Sequence, residues 1–144
     1  MAQLAFPIVP AGLVVDVFVN LEAPVLMPLR SRGAGPSPVQ GSGLLDTGSD
    51  ITAVSLPILQ QLGIPAIRQA ATQSISGSVP VNLYRISLHI LDVQKLSLPW
   101  LSQASLVVME LAPAFPFDVL IGLDILLTCK LHLDGPAGRF TLEF

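Results

Sequence analysis

The chain has 144 residues, of which 51% are hydrophobic and only 12% charged. Its mean hydropathy of +0.69 leaves apolar surface that favours a partner. The net charge of −3 argues against a nucleic-acid partner and provides no basic patch for an anionic membrane. A single cysteine excludes an internal disulfide and any cysteine-based zinc cluster.

The hydropathy pattern predicts one domain across residues 1–144 and no membrane span. The most apolar stretch, residues 105–127, is interrupted by acidic residues and prolines. The first ten residues carry no basic side chain and no clear small-residue cleavage site, so no signal peptide is expected. We therefore expect a cytoplasmic protein.

The elements predicted in the first half begin with a strand at residues 13–20, which are β-branched and apolar. Residues 22–43 are rich in Gly, Pro and Ser and predict a long surface loop. Residues 55–63 predict a short helix with a serine cap, a proline in the first turn and a glycine at its end.

The second half predicts mainly strands. Residues 70–91 predict a β-hairpin with its turn at Ser76, Gly77 and Ser78. The remaining predictions are strands at 105–110 and 117–121, a short helix at 122–128, and a terminal strand at 139–144.

Two sequence blocks carry the chemical information. Asp-Thr-Gly-Ser occurs once, at residues 46–49, directly after an apolar run. Alone, this motif is also typical of an ordinary turn with an Asx-type hydrogen bond. The second block, Phe-Asp-Val-Leu-Ile-Gly-Leu-Asp-Ile-Leu at residues 117–126, predicts a strand, a glycine and a short helix.

Together the blocks resemble the retropepsins, the retroviral-type aspartic proteases that act as homodimers. The similarity covers most of the chain, including the hairpin around Gly77 and the closing strand. Ser49, the Leu-Gly pair at 62–63 and Gly-Leu-Asp at 122–124 resemble cellular and bacterial members more than viral ones. The resemblance implies an all-β, closed barrel-like fold with one or two short helices, without a metal or cofactor.

The resemblance also makes Asp46 the catalytic residue. Two aspartates held close together cannot both ionise cheaply, so such a pair shares one proton. The ionised carboxylate activates water while the protonated one polarises the substrate carbonyl. Because this chain offers one such aspartate, the second is expected from Asp46 of another copy.

The neighbouring residues receive roles by the same resemblance. Thr47 would hydrogen-bond across the two-fold axis, and Gly48 would present its carbonyl to the substrate. Ser49 would hydrogen-bond the outer oxygen of Asp46. Asp50 would contact the substrate backbone, although Leu123 stands where viral enzymes have an arginine that pairs with its counterpart.

The hairpin tip at Ser76, Gly77 and Ser78 would be the flap that closes over an extended peptide. The terminal strand at 139–144 would interleave with that of the second copy to build the dimer sheet. Its alternating apolar residues favour a paired strand over a frayed tail.

The other titratable residues receive structural interpretations. Asp118 is interpreted as a strand-end residue and Asp124 as a structural helix residue. His89 and His132 lie in strand-like stretches without a second ligand at metal spacing, so core or edge positions are expected. Cys129 is expected to be a buried small hydrophobe.

The leading hypothesis is an aspartic endopeptidase that cleaves extended polypeptides with apolar side chains. The main alternative is a catalytically inactive module of the same fold that mediates dimerisation or peptide binding. A third hypothesis is a domain cut from a longer polyprotein or receptor, whose partner lies outside these residues.

Overall fold

The computed structural model describes residues 1–144, apart from the side chain of Ser74. The described chain forms strands in two sheets, with three short helices. The strands are β1 (Gln3–Pro7), β2 (Val14–Leu21), β3 (Val39–Leu45), β4 (Ala53–Ser55), β5 (Arg68–Ser74), β6 (Gly77–Leu91), β7 (Leu101–Leu111), β8 (Val119–Ile121), β9 (Lys130–Asp134) and β10 (Arg139–Glu143). The helices are α1 (Ala23–Ser31), α2 (Leu56–Gln61) and α3 (Leu123–Leu126).

Six strands of the larger sheet close into a barrel. Their order is β2, β3, β8, β4, β7 and β6, and β6 pairs back to β2. The pairs β3–β8 and β4–β7 are parallel, and the others are antiparallel. β5 continues the sheet outward from β6. This architecture confirms the predicted all-β, barrel-like fold.

Strand periodicity fills the barrel with branched side chains. Alternate residues of a strand point to opposite faces of the sheet, and one set from β2 and β6 points into the barrel. The fully buried residues of these two strands include Val15, Val17, Val19, Ile86, Leu88 and Ile90. They belong to one core cluster, which explains much of the apolar composition.

The smaller sheet has the order β1, β10, β9, with β10 in the middle. Its inner face adds Leu4, Phe6, Phe140 and Leu142 to the same core cluster. The rings of Phe6 and Phe140 stack with their centroids 5.5 Å apart. The terminal strand predicted at 139–144 is therefore present, and it pairs with the first strand of its own chain.

The range predicted as a loop, residues 22–43, instead contains α1 and most of β3, so that prediction is wrong. Pro24 lies in the first turn of α1, where a helix tolerates proline because the first N–H groups have no partner within the helix. α1 buries no residue and lies on the outside of the barrel. Among the described residues, no helix is long and apolar enough to cross a membrane.

The hairpin of β5 and β6 turns slightly earlier than predicted. Its turn is formed by Ile75 and Ser76, and Ser74 pairs with Gly77. Gly77, at φ +112°, opens β6. Glycine adopts this backbone conformation at little cost. The glycine of the hairpin therefore serves the residue directly after the turn, and not the turn itself.

Candidate active site

Asp46 lies at the carboxyl end of β3. The preceding Leu45 is buried and pairs with Ile121 in the parallel strand β8. The Asp46 N–H donates to the Ile121 carbonyl at 2.8 Å. The sheet therefore continues to the aspartate itself and holds its backbone, and the residue is half-buried.

A tight turn fixes the Asp46 carboxylate. The Gly48 N–H donates to Asp46 Oδ1 at 2.8 Å, and the Ser49 N–H donates to the Asp46 carbonyl at 3.2 Å. A Cβ added to Gly48 would lie 3.1 Å from the same carboxylate oxygen. Glycine at this position therefore lets the backbone approach the carboxylate without crowding it.

Ser49 does not have the role that the resemblance implies. Its Oγ donates to the Ile51 carbonyl at 2.7 Å, so the prediction that it bonds the Asp46 carboxylate is wrong for this structure. Serine hydroxyls commonly bond a backbone group close by in sequence. Ser49 thus braces the loop that carries the aspartate.

The start of α3 supports the same loop. The Leu123 N–H donates to the Ser49 carbonyl at 2.7 Å, and the Asp124 N–H donates to the Asp50 carbonyl at 3.3 Å. Gly122 packs directly against this backbone. The second block recognised in the sequence therefore positions the first.

Asp124 and Thr52 form a second brace. Thr52 donates to the Asp124 carboxylate through its N–H at 2.9 Å and through its hydroxyl at 2.7 Å. The same hydroxyl accepts from the Gly122 N–H at 3.1 Å. The structural interpretation of Asp124 is confirmed. The sequence interpretation missed Thr52, which is fully buried; its one local signal is that it follows the aspartate loop directly.

Asp118 is also structural, as predicted. Its Oδ2 accepts from the Ser42 N–H at 2.9 Å, and its backbone carbonyl accepts from the Ser55 N–H at 2.9 Å. A Cβ on Gly41 would lie 2.9 Å from this side chain. Asp118 therefore ties β3 and β4 together at the start of β8.

Asp50 is exposed at the far end of the loop. Leu123, in the place of the viral arginine, packs against the core. Neither ion pair found among the described residues involves Asp50. Its carboxylate borders an open cleft, and its contact with substrate stays a prediction.

A cleft of about 490 Å³ separates the aspartate loop from the hairpin. Residues 48–51 form one wall and residues 70–73 of β5 form the other. A more apolar hollow of about 520 Å³ continues from it and shares Thr72, Val81 and Met109. The charged residues that border the two parts are both acidic, Asp50 and Glu110.

No protein-family model and no curated protein matches the chain. A solved structure does: the crystal structure of a retropepsin-like aspartic protease from Rickettsia conorii. The two agree with a TM-score of 0.61 over 99% of this chain and 90% of that one. The chain has a retropepsin-like fold. The sequence identity is 12%, so the likeness concerns the fold.

Within this retropepsin-like fold, the residues predicted for the flap lie at the free end of the β5–β6 hairpin. Ser76 is in the turn, Gly77 opens β6, and Ser78 follows it. Ile75, which was not singled out, is fully exposed at the tip. The hairpin lines the cleft with residues 70–73 of β5 and with Val81 and Leu83 of β6.

The histidines lie on strands, as expected. His89, on β6, is half-buried, and its Nδ1 lies 2.8 Å from Ser102 Oγ. Burial lowers the pKa of His89. His132 is exposed on β9. Within the described part of the chain, no three His, Cys, Asp or Glu side chains lie close enough together to hold a metal.

Cys129 is less enclosed than predicted. Its side chain is half-buried, and its Sγ lies 3.5 Å from the Leu126 carbonyl. Partial burial raises the pKa of the thiol. Cys129 thus occupies the link between α3 and β9 rather than the core of the retropepsin-like fold.

Proposed function

We propose that this chain is an aspartic endopeptidase that hydrolyses peptide bonds in extended polypeptides. One observation carries the proposal. Asp46 stands half-buried at the end of β3, its carboxylate oriented by the Gly48 amide, next to a cleft whose wall begins at Gly48. The loop that carries it is held from behind by the hydrogen bonds between Thr52 and Asp124.

The proposed reaction needs two copies of Asp46. The ionised carboxylate takes a proton from water as the water oxygen attacks the carbonyl carbon. The protonated carboxylate of the second copy hydrogen-bonds the carbonyl oxygen and stabilises the charge that develops there. The tetrahedral intermediate collapses as a proton moves to the leaving nitrogen, which breaks the C–N bond.

The neighbouring residues are proposed to support this dyad. Thr47 is exposed on the loop, which supports a hydrogen bond to its counterpart across the two-fold axis. Gly48 and Asp50 border the cleft, which supports their contact with the substrate backbone. The tip residues 76–78 are proposed to close over the bound peptide as a flap.

The proposed substrates carry apolar side chains near the scissile bond. The hollow that continues the cleft is lined mainly by aliphatic side chains, among them Leu56, Val79, Val81 and Leu111. The leucine at position 123 supports a closer relation to cellular and bacterial retropepsins than to viral ones. A cytoplasmic location is part of the proposal.

The test is a digest of a peptide library between pH 4 and pH 9, with cleavage sites read by mass spectrometry. Asp46→Asn is expected to reduce cleavage by at least about a hundredfold, the usual contribution of a general acid–base group. The dimer should persist. Asp92→Asn, the same chemical change in a turn after β6, is the control and should cleave like the wild type.

Activity should be highest at mildly acidic pH, because the dyad must hold one proton. Equal activity at pH 9 would contradict the mechanism. A wild type that binds peptides without cleaving them would favour the inactive binding module instead. Cleavage by Asp46→Asn equal to that of the wild type would show that Asp46 is not the catalytic carboxylate.

A further inference from the structure

The smaller sheet has two outer edges, on β1 and on β9. β10 pairs with β1 on one side and with β9 on the other. The interleaving predicted for the terminal strand at 139–144 would require one of these partners to leave. Within the described residues, no strand pairs with the outer edge of β9.

The backbone of β9 offers a regular set of hydrogen-bonding groups at this edge. Ala2 and Phe144 exchange both backbone hydrogen bonds. The N–H and C=O groups of every second residue of β10, counted from Phe144, therefore point toward β1. The intervening residues of β10 therefore face Lys130, His132 and Asp134 of β9. This leaves the N–H and C=O groups of Leu131 and Leu133 directed outward.

The sequence of β9 is complementary to itself in an antiparallel arrangement. The strand reads Lys-Leu-His-Leu-Asp from 130 to 134. In a two-fold pair centred on His132, Lys130 stands opposite Asp134 of the second copy, and Leu131 stands opposite its Leu133. Opposite charges and apolar pairs stabilise neighbouring strands.

The exposed apolar surface agrees with this register. Leu133 lies on the face of the sheet that covers the core, yet it is 63% exposed, and no described strand pairs with the outer edge of β9 beside it. Leu131, on the same face, is partly buried against the core. Pairing would place Leu131 of each copy beside Leu133 of the other and remove apolar surface from water.

The alternative edge, on β1, is less suited to pairing. By the same alternation, the backbone groups directed away from β10 are those of Gln3, Ala5 and Pro7. Pro7 has no N–H to donate, and proline on an outer strand is a common protection against edge pairing. This edge also presents no charge complementarity to a second copy of itself.

β9 is connected closely to the site. It begins four residues after α3, whose first turn donates two hydrogen bonds to the aspartate loop. We propose that a second copy of this chain docks on the free edge of β9, in an antiparallel pairing centred on His132. This rests on the proposed function, which needs a second Asp46.

A cysteine cross-link tests the register. In the proposed pairing, His132 faces its counterpart in a non-hydrogen-bonded pair, with the Cα atoms about 4.5 Å apart. A disulfide can span this distance. In a Cys129→Ala background, His132→Cys should give a covalent dimer when oxidised with copper phenanthroline, read on a non-reducing gel.

Thr141→Cys in the same background is the matched control. Thr141 lies opposite His132 in β10 and shares its face of the sheet. In the proposed dimer, three strand spacings, about 14 Å, would separate the two Thr141 residues, so no cross-link is expected. Equal cross-linking at 132 and 141, or none at 132, would overturn the proposal.

Charge reversal tests the same pairing without a covalent bond. Lys130→Glu and Asp134→Lys each place like charges opposite each other at two positions. Each should raise the dimer dissociation constant by roughly tenfold, measured by analytical ultracentrifugation. Mixed in equal amounts, the two variants should form a heterodimer of near wild-type affinity, because every opposing pair is again of opposite sign.

Mixing separates contacts between copies from effects within a chain. Lys130 also pairs with Glu143 of its own chain at 3.4 Å, and mixing cannot restore that contact. Arg32→Glu, on an exposed residue after α1, is the control and should leave the dissociation constant unchanged. Failure of the mixture to associate more tightly than either variant, or a wild type that is monomeric at 100 µM, would refute the proposal.

The outcomes also separate this inference from the proposed function. If the protein cleaves peptides as a dimer and the β9 substitutions leave its dissociation constant unchanged, the β9 interface alone is refuted. A dimer that responds to these substitutions but cleaves no peptide would refute the protease function alone.

Discussion

At Gly122 the chain leaves β8 and enters α3 in direct contact with the aspartate loop. A Cβ added there would lie 2.7 Å from the Ile51 carbonyl carbon and 2.9 Å from the Ser49 carbonyl oxygen. Both atoms belong to the backbone, so no side-chain rotation relieves the contact. The glycine therefore sets how closely α3 can approach the loop that carries Asp46.

Gly122→Ala should consequently destabilise the protein by about 1–3 kcal/mol, the usual cost of overpacking a buried site. It should also reduce peptide cleavage, since the loop must move. Urea unfolding and the peptide digest measure the two effects. Gly135→Ala, where an added Cβ meets nothing within 4 Å, is the matched control; equal stability of the two variants would contradict this account.

At this scale, the sequence predicted the residues whose roles are local. The turn at residues 46–49 follows from glycine and from the end of an apolar strand. The hydroxyl of Thr52 and the carboxylate of Asp124 are 72 residues apart in the chain, and no local pattern indicates that they meet. The orientation of the Ser49 hydroxyl was likewise decided by the nearest carbonyl in the folded loop.

Among the elements, β6 carries a histidine in an aromatic environment on the outside of the barrel. The ring centroid of Trp100 lies 5.5 Å from that of His89 and 5.9 Å from that of Phe18. The Trp100 indole N–H donates to the Leu96 carbonyl at 3.2 Å, which closes the segment between β6 and β7 over this surface. His89 is thereby partly removed from water.

This burial predicts a loss of stability in acid. The pKa of His89 in the folded protein lies below its ordinary value of 6.5 because burial disfavours the charged ring. Below pH 6.5, His89 binds a proton in the unfolded chain but stays neutral in the folded protein. The free energy of unfolding therefore falls as the pH is lowered, until the pKa of the folded protein is reached. Above pH 6.5 this histidine has no such effect.

His89→Gln should remove this part of the pH dependence while leaving a partner for Ser102. Urea unfolding at several pH values between 4 and 8 measures it. A wild-type slope between pH 6.5 and pH 5 that is identical in His89→Gln would contradict the assignment. The range includes the mildly acidic conditions under which the proposed protease would act.

Element prediction succeeded where a run of apolar or β-branched residues was long enough to show a pattern. β2 was predicted from its β-branched apolar residues, and the hairpin that contains β6 from its turn residues and the alternation of its return limb. α1 was missed because two prolines and the following Gly- and Ser-rich residues obscured a helix that buries nothing. β4 has three residues, too few to show a period, and it exists because β7 and β8 pair with it.

For the whole molecule, the proposed dyad makes activity depend on association. Cleavage per chain should therefore fall on dilution below the dimer dissociation constant. In Lys130→Glu, half-maximal activity should shift to a roughly tenfold higher concentration. Rates measured over a dilution series, with sedimentation in the same buffer, check this. Constant cleavage per chain through the range of dissociation would show that one copy suffices.

The sequence by itself determined that the chain is mainly β-structure and that its one Asp-Thr-Gly-Ser turn, at residues 46–49, follows an apolar strand. Its resemblance to the retropepsins added the barrel fold and the expectation that Asp46 acts with a second carboxylate. Only the tertiary structure decided which groups hold the aspartate loop and which strand edge stays unpaired. Such contacts join residues far apart in the chain, so they depend on packing and strand order rather than on any local pattern.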